Sequence, residues 1–147
     1  MSVLTYQDIL AACRLQPGDS DDRETDSGPI RPCLKKNVRS AGYDLRLGLE
    51  YYLHEEAQGN GLTVSTLTPG VRETVVIPAN RVVIVTTHEA LSLRSDLVGH
   101  LSLKLELLLK GLIMANQSQI DAGYSGWIFA LLYNLSNQDV CLGAVKK

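Results

Sequence analysis

The sequence predicts an all-β domain with one short N-terminal helix, and three observations carry that expectation. YDLRLGLEYYL alternates apolar and polar positions over Tyr43, Leu45, Leu47 and Leu49. ETVVIPANRVVIVTTHEAL holds two β-branched runs separated by Pro78-Ala79-Asn80, a pattern of two strands and a turn. HLSLKLELLL alternates strictly, with Leu101, Leu103, Leu105 and Leu107 on one face and Ser102, Lys104 and Glu106 on the other. GWIFALLYNLS adds a strand bounded by Gly126 and Ser136, and TVSTLTPG ends in a turn at Pro69-Gly70. Many short strands with regular turn signals predict a sandwich or barrel.

The first part of the chain is different in kind. Residues 5–14, TYQDILAACR, read as a short helix: Thr5 can cap it, and Asp8 sits where a negative charge favours a helix N-terminus. Residues 17–32, PGDSDDRETDSGPIRP, combine Pro, Gly, Ser and acids with few apolar residues, and read as a mobile acidic loop. The spacing of its acids does not match a calcium loop.

The chain has 147 residues, which fits one domain over 1–147 with a real core. Its net charge of -2 offers no broad basic surface for nucleic acid. Cys13, Cys33 and Cys141 are odd in number and lack C-x-x-C spacing, which argues against a disulfide framework or a zinc site and for a reducing, cytoplasmic compartment. The N-terminus does not read as a secretory signal, and no apolar run approaches the ~20 residues that span a membrane. His54, His88 and His100 are scattered without ligand spacing. Tyr51, Tyr52 and Trp127 read as packing residues.

The most informative segment is QIDAGYSGWI, residues 119–128. Gly123 and Gly126 suit a tight turn where the backbone approaches something closely; Asp121 precedes the turn and Tyr124 sits inside it. By residue type alone this is an ordinary β-turn with an Asp cap, or a binding turn. The segment resembles the third signature motif of the dUTPase and dCTP deaminase superfamily, an Ile-Asp followed by a Tyr-x-Gly turn. SAGYDLRLG, residues 40–48, resembles the first motif, and its Leu-Arg-Leu-Gly is closer to dCTP deaminases. Residues 96–113 stand in the place of the second motif, YNLSN at 133–137 resembles a dCTP deaminase segment, and so does the Gln-Asp-Ile-Leu helix at the start.

The resemblance implies a distorted jelly-roll, the β-clip dUTPase-like fold, assembled as a homotrimer. It implies a pyrimidine deoxyribonucleotide triphosphate as ligand, with Mg2+ bound through the triphosphate and no zinc. Asp121 would contact the sugar and activate the attacking water, a role a carboxylate fills when it is within hydrogen-bond reach. Tyr124 would lie against the deoxyribose, Gly123 belongs to the same turn, and Asn116 would contact the base. Lys104 aligns with an Arg that meets phosphate and can do so as a point charge without the bidentate fork. Ser102, on the same face, is a substitute for the hydroxyl lost at Leu105.

Three departures bear on activity. Leu105 stands where the family has a Ser whose hydroxyl meets the phosphates, and Glu106 stands where it has a small residue and adds negative charge near an anion site. Leu131 stands where dCTP deaminases carry a water-activating Glu. The chain ends at CLGAVKK without the family's C-terminal closing segment. The leading expectation is hydrolysis of dUTP to dUMP and pyrophosphate. The alternatives are dCTP deamination with a non-standard catalytic group, and a catalytically degenerate nucleotide-binding or regulatory homologue.

Overall fold

The computed structural model describes residues 3–53, 74–115 and 119–143. Helix α1 (Tyr6–Ala12) is followed by β1 (Glu24–Thr25), β2 (Ile30–Arg31), β3 (Cys33–Leu34), a 3-10 turn (Lys35–Asn37), β4 (Val38–Arg39), β5 (Gly42–Tyr43) and β6 (Leu47–Leu53). Then come β7 (Thr74–Ile77), β8 (Val82–Ser92), β9 (Gly99–His100), helix α2 (Leu105–Leu109), β10 (Leu112–Met114), β11 (Gln119–Ile120), β12 (Ser125–Asn134) and β13 (Val140–Gly143). The fold is all-β with two short helices, neither long and apolar enough to cross a membrane. Asn116 and the Pro69-Gly70 turn lie outside the described residues.

The chain falls into two compact units, each made of separate stretches of sequence. The first takes Met1–Arg46, His88–Gly99 and Ile120–Ile128. In it, α1 begins with a capping box: the Asp8 backbone N–H donates to the Thr5 hydroxyl, and the Thr5 backbone N–H donates to the Asp8 carboxylate at 2.8 Å. The apolar face of α1 buries Ile9 and Leu10 in a cluster with Cys13, Leu15, Cys33 and Val38. Replacing the N-cap, Thr5→Ala, is expected to cost about 1 kcal/mol in urea unfolding. The bonds from the Thr5 backbone and hydroxyl hold the Asp8 carboxyl below its ordinary range. A lowered carboxyl stabilises the fold above its unfolded value, and that benefit is lost as pH falls from there through the lower folded value. The stability gap between the native chain and Asp8→Asn should therefore narrow as pH drops through about 4.

Residues 17–32 carry more structure than their composition signals. β1 pairs antiparallel with β3, and β2 pairs antiparallel with the end of β8, Ile30 opposite Leu91. Lys35 is only 6% exposed. Its ammonium donates to the Pro17 carbonyl at 2.7 Å and to the Asp19 carbonyl, and lies 3.7 Å from the Asp21 carboxylate. A buried ammonium must be satisfied in this way, and the loop backbone supplies the acceptors.

The second unit takes Leu47–Thr87, His100–Gln119 and Phe129–Lys147. Its core is Tyr51, Val75, Ile77, Val83, Val85, Leu112, Leu132 and Val140. β7 pairs with β13, β6 with the first part of β8, and β10 with the end of β12, all antiparallel. The turn between β7 and β8 falls where Pro78-Ala79-Asn80 predicts it, with Asn80 left-handed at φ 57°. The glycine of Leu-Arg-Leu-Gly has a packing reason: a Cβ on Gly48 would meet the Thr86 hydroxyl at 2.8 Å and its carbonyl at 3.0 Å. Asn134, fully buried, donates to the Ile77, Pro78 and Gln138 carbonyls and accepts from the Ser136 backbone and hydroxyl. The YNLSN segment is thus a knot that closes the β12–β13 connection.

The strand expected over residues 100–109 is corrected. Leu101 to Lys104 form no strand, but the expected alternation of exposure holds there, with Leu101 and Leu103 half-buried and Ser102 and Lys104 exposed. From Leu105 the chain turns into α2, which leaves Leu105 69%, Leu108 46% and Leu109 79% exposed. LELLLK is made of strong helix formers, and its alternation is too short to enforce a strand. Gly111, at φ 85°, ends the helix, and its N–H donates to the Leu108 carbonyl at 2.9 Å.

Candidate functional site

The turn after β11 is held by three backbone hydrogen bonds. The Tyr124 N–H donates to the Asp121 carbonyl at 3.2 Å, the Gly123 N–H to the Arg94 carbonyl at 3.0 Å, and the Leu93 N–H to the Tyr124 carbonyl at 2.8 Å. Gly123 sits at φ 78°, which a side chain rarely adopts, so the glycine is required by backbone geometry. The Tyr124 hydroxyl donates to the Trp127 carbonyl at 2.5 Å, and its ring end lies over Gly126. The ring is therefore fixed in place beside the turn. Asp121 is exposed at the start of the same turn. The structure thus gathers Asp121, Gly123 and Tyr124 on one rigid corner of the first unit. Trp127 is 59% exposed, so it is no core residue here.

Ser102 and Lys104 belong to the second unit. Both are exposed, two residues apart in the sequence, and Lys104 is the cap residue of α2. Glu106 stands in the first turn of that helix, where a negative charge meets the positive end of the helix dipole. That gives the acid a structural reason at this position. Leu131 is half-buried on β12, and its carbonyl accepts from the Ala115 N–H at 2.8 Å. A leucine side chain there moves no proton. Among the described residues, no three His, Cys, Asp or Glu side chains form a metal-binding group.

One cluster escaped the sequence reading. Glu89, fully buried on β8, accepts from the Arg46 backbone N–H at 2.8 Å, the Arg46 Nε and the Tyr43 hydroxyl at 3.3 Å. Arg46 also donates to Glu24 at 2.7 Å, while Tyr43 accepts from the Leu34 N–H at 3.0 Å. Burial alone would lower the Arg46 pKa, but the bonds to Glu89 and Glu24 outweigh it and raise it. Burial raises that of Tyr43. The signal in the sequence was an acid inside a long β-branched strand, together with the Tyr-Asp-Leu-Arg of residues 43–46. The first motif is therefore a structural clasp in this chain.

Comparison with known proteins agrees with this architecture. The family model of dCTP deaminase-like proteins matches residues 18–144. The dCTP deaminase of Pyrococcus abyssi is 29% identical over 113 residues, 77% of this chain and 67% of that protein. That of Thermococcus kodakarensis is 32% identical over 111 residues, 76% of this chain and 65% of that protein. The crystal structure of 2'-deoxycytidine 5'-triphosphate deaminase from Agrobacterium tumefaciens matches 97% of this chain and 44% of its own, with a TM-score of 0.66 at 18% identity. The chain thus spans about two thirds of the length of these relatives and less than half of that structure. By the match across most of its length, this chain belongs to the dCTP deaminase-like family.

Proposed function

We propose that this chain binds a pyrimidine deoxyribonucleotide triphosphate as its magnesium complex and hydrolyses dUTP to dUMP and pyrophosphate. The observation that carries the reading is the rigid Asp121–Tyr124 corner, which presents an exposed carboxylate beside a fixed aromatic ring. Asp121 accepts a proton from water as the water oxygen bonds to the α-phosphorus, and the bond to the β-phosphate oxygen breaks to release pyrophosphate. Tyr124 and the turn backbone position the sugar; the family resemblance gives the base to Asn116 and the phosphates to Lys104 and Ser102. Magnesium arrives with the substrate and offsets triphosphate charge.

The names of the relatives favour a second reading, deamination of dCTP. Leu131 weighs against it, because ring attack needs a group that moves protons. A third reading, a binder without turnover, draws on Leu105 and Glu106. An assay of dUTP, dCTP and dTTP with magnesium and product analysis separates all three. Release of dUMP and pyrophosphate from dUTP is the expected result; dUTP formed from dCTP, or binding without product, overturns it.

The proposal includes a homotrimer in a cytoplasmic, reducing setting, consistent with three free cysteines. The exposed leucines of α2, with Phe129 at 54% and Ile113 at 37% on β12 and β10, offer apolar surface for another copy. Light scattering should give a mass near three chains at micromolar concentration; a 16.1 kDa particle would count against it.

A further inference from the structure

The Asp121–Tyr124 corner presents a carboxylate, and a carboxylate alone repels the phosphates of the ligand proposed for it. Lys104 belongs to the second unit, but the first unit carries a cation of its own on this corner. Residues 93–99 run beside the turn and are tied to it. The Leu93 N–H donates to the Tyr124 carbonyl at 2.8 Å, and the Gly123 N–H donates to the Arg94 carbonyl at 3.0 Å. Further on, Gly99 packs so closely that a Cβ there would meet the Ile120 side chain at 3.2 Å. The Arg94 carbonyl also accepts from the Leu97 N–H at 3.1 Å, which closes a tight turn over 94–97. The Arg94 backbone is thus pinned to Gly123, while its side chain is 77% exposed. Within the tight turn the guanidinium meets both oxygens of Asp96, Nε donating at 2.8 Å and a terminal nitrogen donating to the second oxygen.

We propose that Arg94 binds a phosphate of the nucleotide, and that Asp96 is the stand-in acceptor that the phosphate displaces; this rests on the reading of the corner as a nucleotide site. Asp96 engages the guanidinium by two parallel bonds, the fork that a phosphate group also fits. The pair is an exposed one, with Asp96 60% exposed, and such a pair adds little to stability. Giving it up therefore costs little, and a triphosphate brings more negative charge than one carboxylate. Asp96 also keeps the guanidinium in one orientation before the ligand arrives, so less side-chain freedom is lost on binding. Arg94 further sets a positive charge on the same corner as Asp121, so that an anion can approach a site whose base is itself an anion.

The test compares two ligands on the full chain with magnesium. One is the α,β-imido analogue of dUTP, which resists cleavage, read by calorimetry. The other is deoxyuridine, which has no phosphate, read by saturation-transfer NMR. Arg94→Gln should weaken binding of the analogue by roughly tenfold and leave that of deoxyuridine unchanged. Arg94→Lys should fall between, because a point charge lacks the fork. Asp96→Asn keeps the size and removes the competing charge, so it should tighten binding of the analogue by roughly two- to fivefold. A gain of affinity cannot come from misfolding, and a pair with a purely structural role would move both ligands alike. Unchanged affinity of Arg94→Gln for the analogue, equal loss of both ligands, or weaker binding of the analogue by Asp96→Asn overturns the inference and leaves the nucleotide reading standing. If the parent binds neither ligand, the nucleotide reading fails and takes this inference with it.

Discussion

Glu89→Ala should destabilise the fold by about 3–5 kcal/mol, a large share of the roughly 5–15 kcal/mol that holds a domain together. Glu89 has no exposure, and its carboxylate accepts bonds from Arg46 and Tyr43. Alanine leaves the Arg46 guanidinium, whose side chain is only 17% exposed, with Glu24 and the Pro32 carbonyl at 3.4 Å. It also leaves the Arg46 backbone N–H and the Tyr43 hydroxyl without that acceptor. A buried guanidinium left with only the more exposed Glu24 costs more than the pair contributed, which is why removing one partner is worse than removing both. Glu89→Gln keeps the shape and one good acceptor and should cost less. Tyr43→Phe removes the longest bond to Glu89 and the acceptor of the Leu34 N–H, and should cost about 1–2 kcal/mol. Urea unfolding of the three variants gives the ranking. A Glu89→Ala loss below that of Tyr43→Phe would show that Arg46 finds water and that the clasp is not a closed one.

The clasp also marks where sequence reading stops. Its partners are 43 residues apart: the acid in β8 signals that some partner must exist, but nothing local says that Arg46 and Tyr43 supply it. The features that were legible are local ones. The Thr5–Asp8 box, the Pro78-Ala79-Asn80 turn and the glycines around Asp121 each need only their own few residues to work. β6, β7, β8 and β12 were legible because a half-buried or buried strand must carry a run of apolar positions in step with its pleat. The two-residue strands β1 to β3 were not, because they exist through partners outside their own few residues: β1 and β3 through each other, β2 through Ala90 and Leu91, and the acidic segment through Lys35. α2 was misread for the opposite reason. Leu103 and Leu107 pack on the core under either period, so the pattern alone did not choose between strand and helix. For the site, Asp121, Gly123 and Tyr124 form one corner as the spacing suggested, and the roles of Lys104 and Ser102 stay with the proposal.

Asp121→Asn should reduce dUTP hydrolysis by roughly 10²–10⁴-fold and leave the fold intact. The amide keeps the size of the carboxylate and an acceptor oxygen, so the turn survives. Backbone bonds of Gly123, Tyr124 and Leu93 hold it. What the amide loses is the ability to take a proton from water. Nucleotide binding should stay within a few fold of the parent, because Tyr124 remains fixed on the Trp127 carbonyl. The loss should therefore fall on kcat, with KM little changed, the mark of an interaction needed in the transition state and not in the ground state. Gly123→Ala is the contrasting change: at φ 78° it strains the turn itself, so it should weaken binding and lower stability together. Hydrolysis by Asp121→Asn at the parent rate would make Asp121 a turn residue with no part in chemistry. If the parent itself shows no turnover but both proteins bind dUTP equally, the corner is a recognition element. In that case Leu105, Glu106 and Leu131 record a chain that kept the ligand-binding turn without the catalytic set around it.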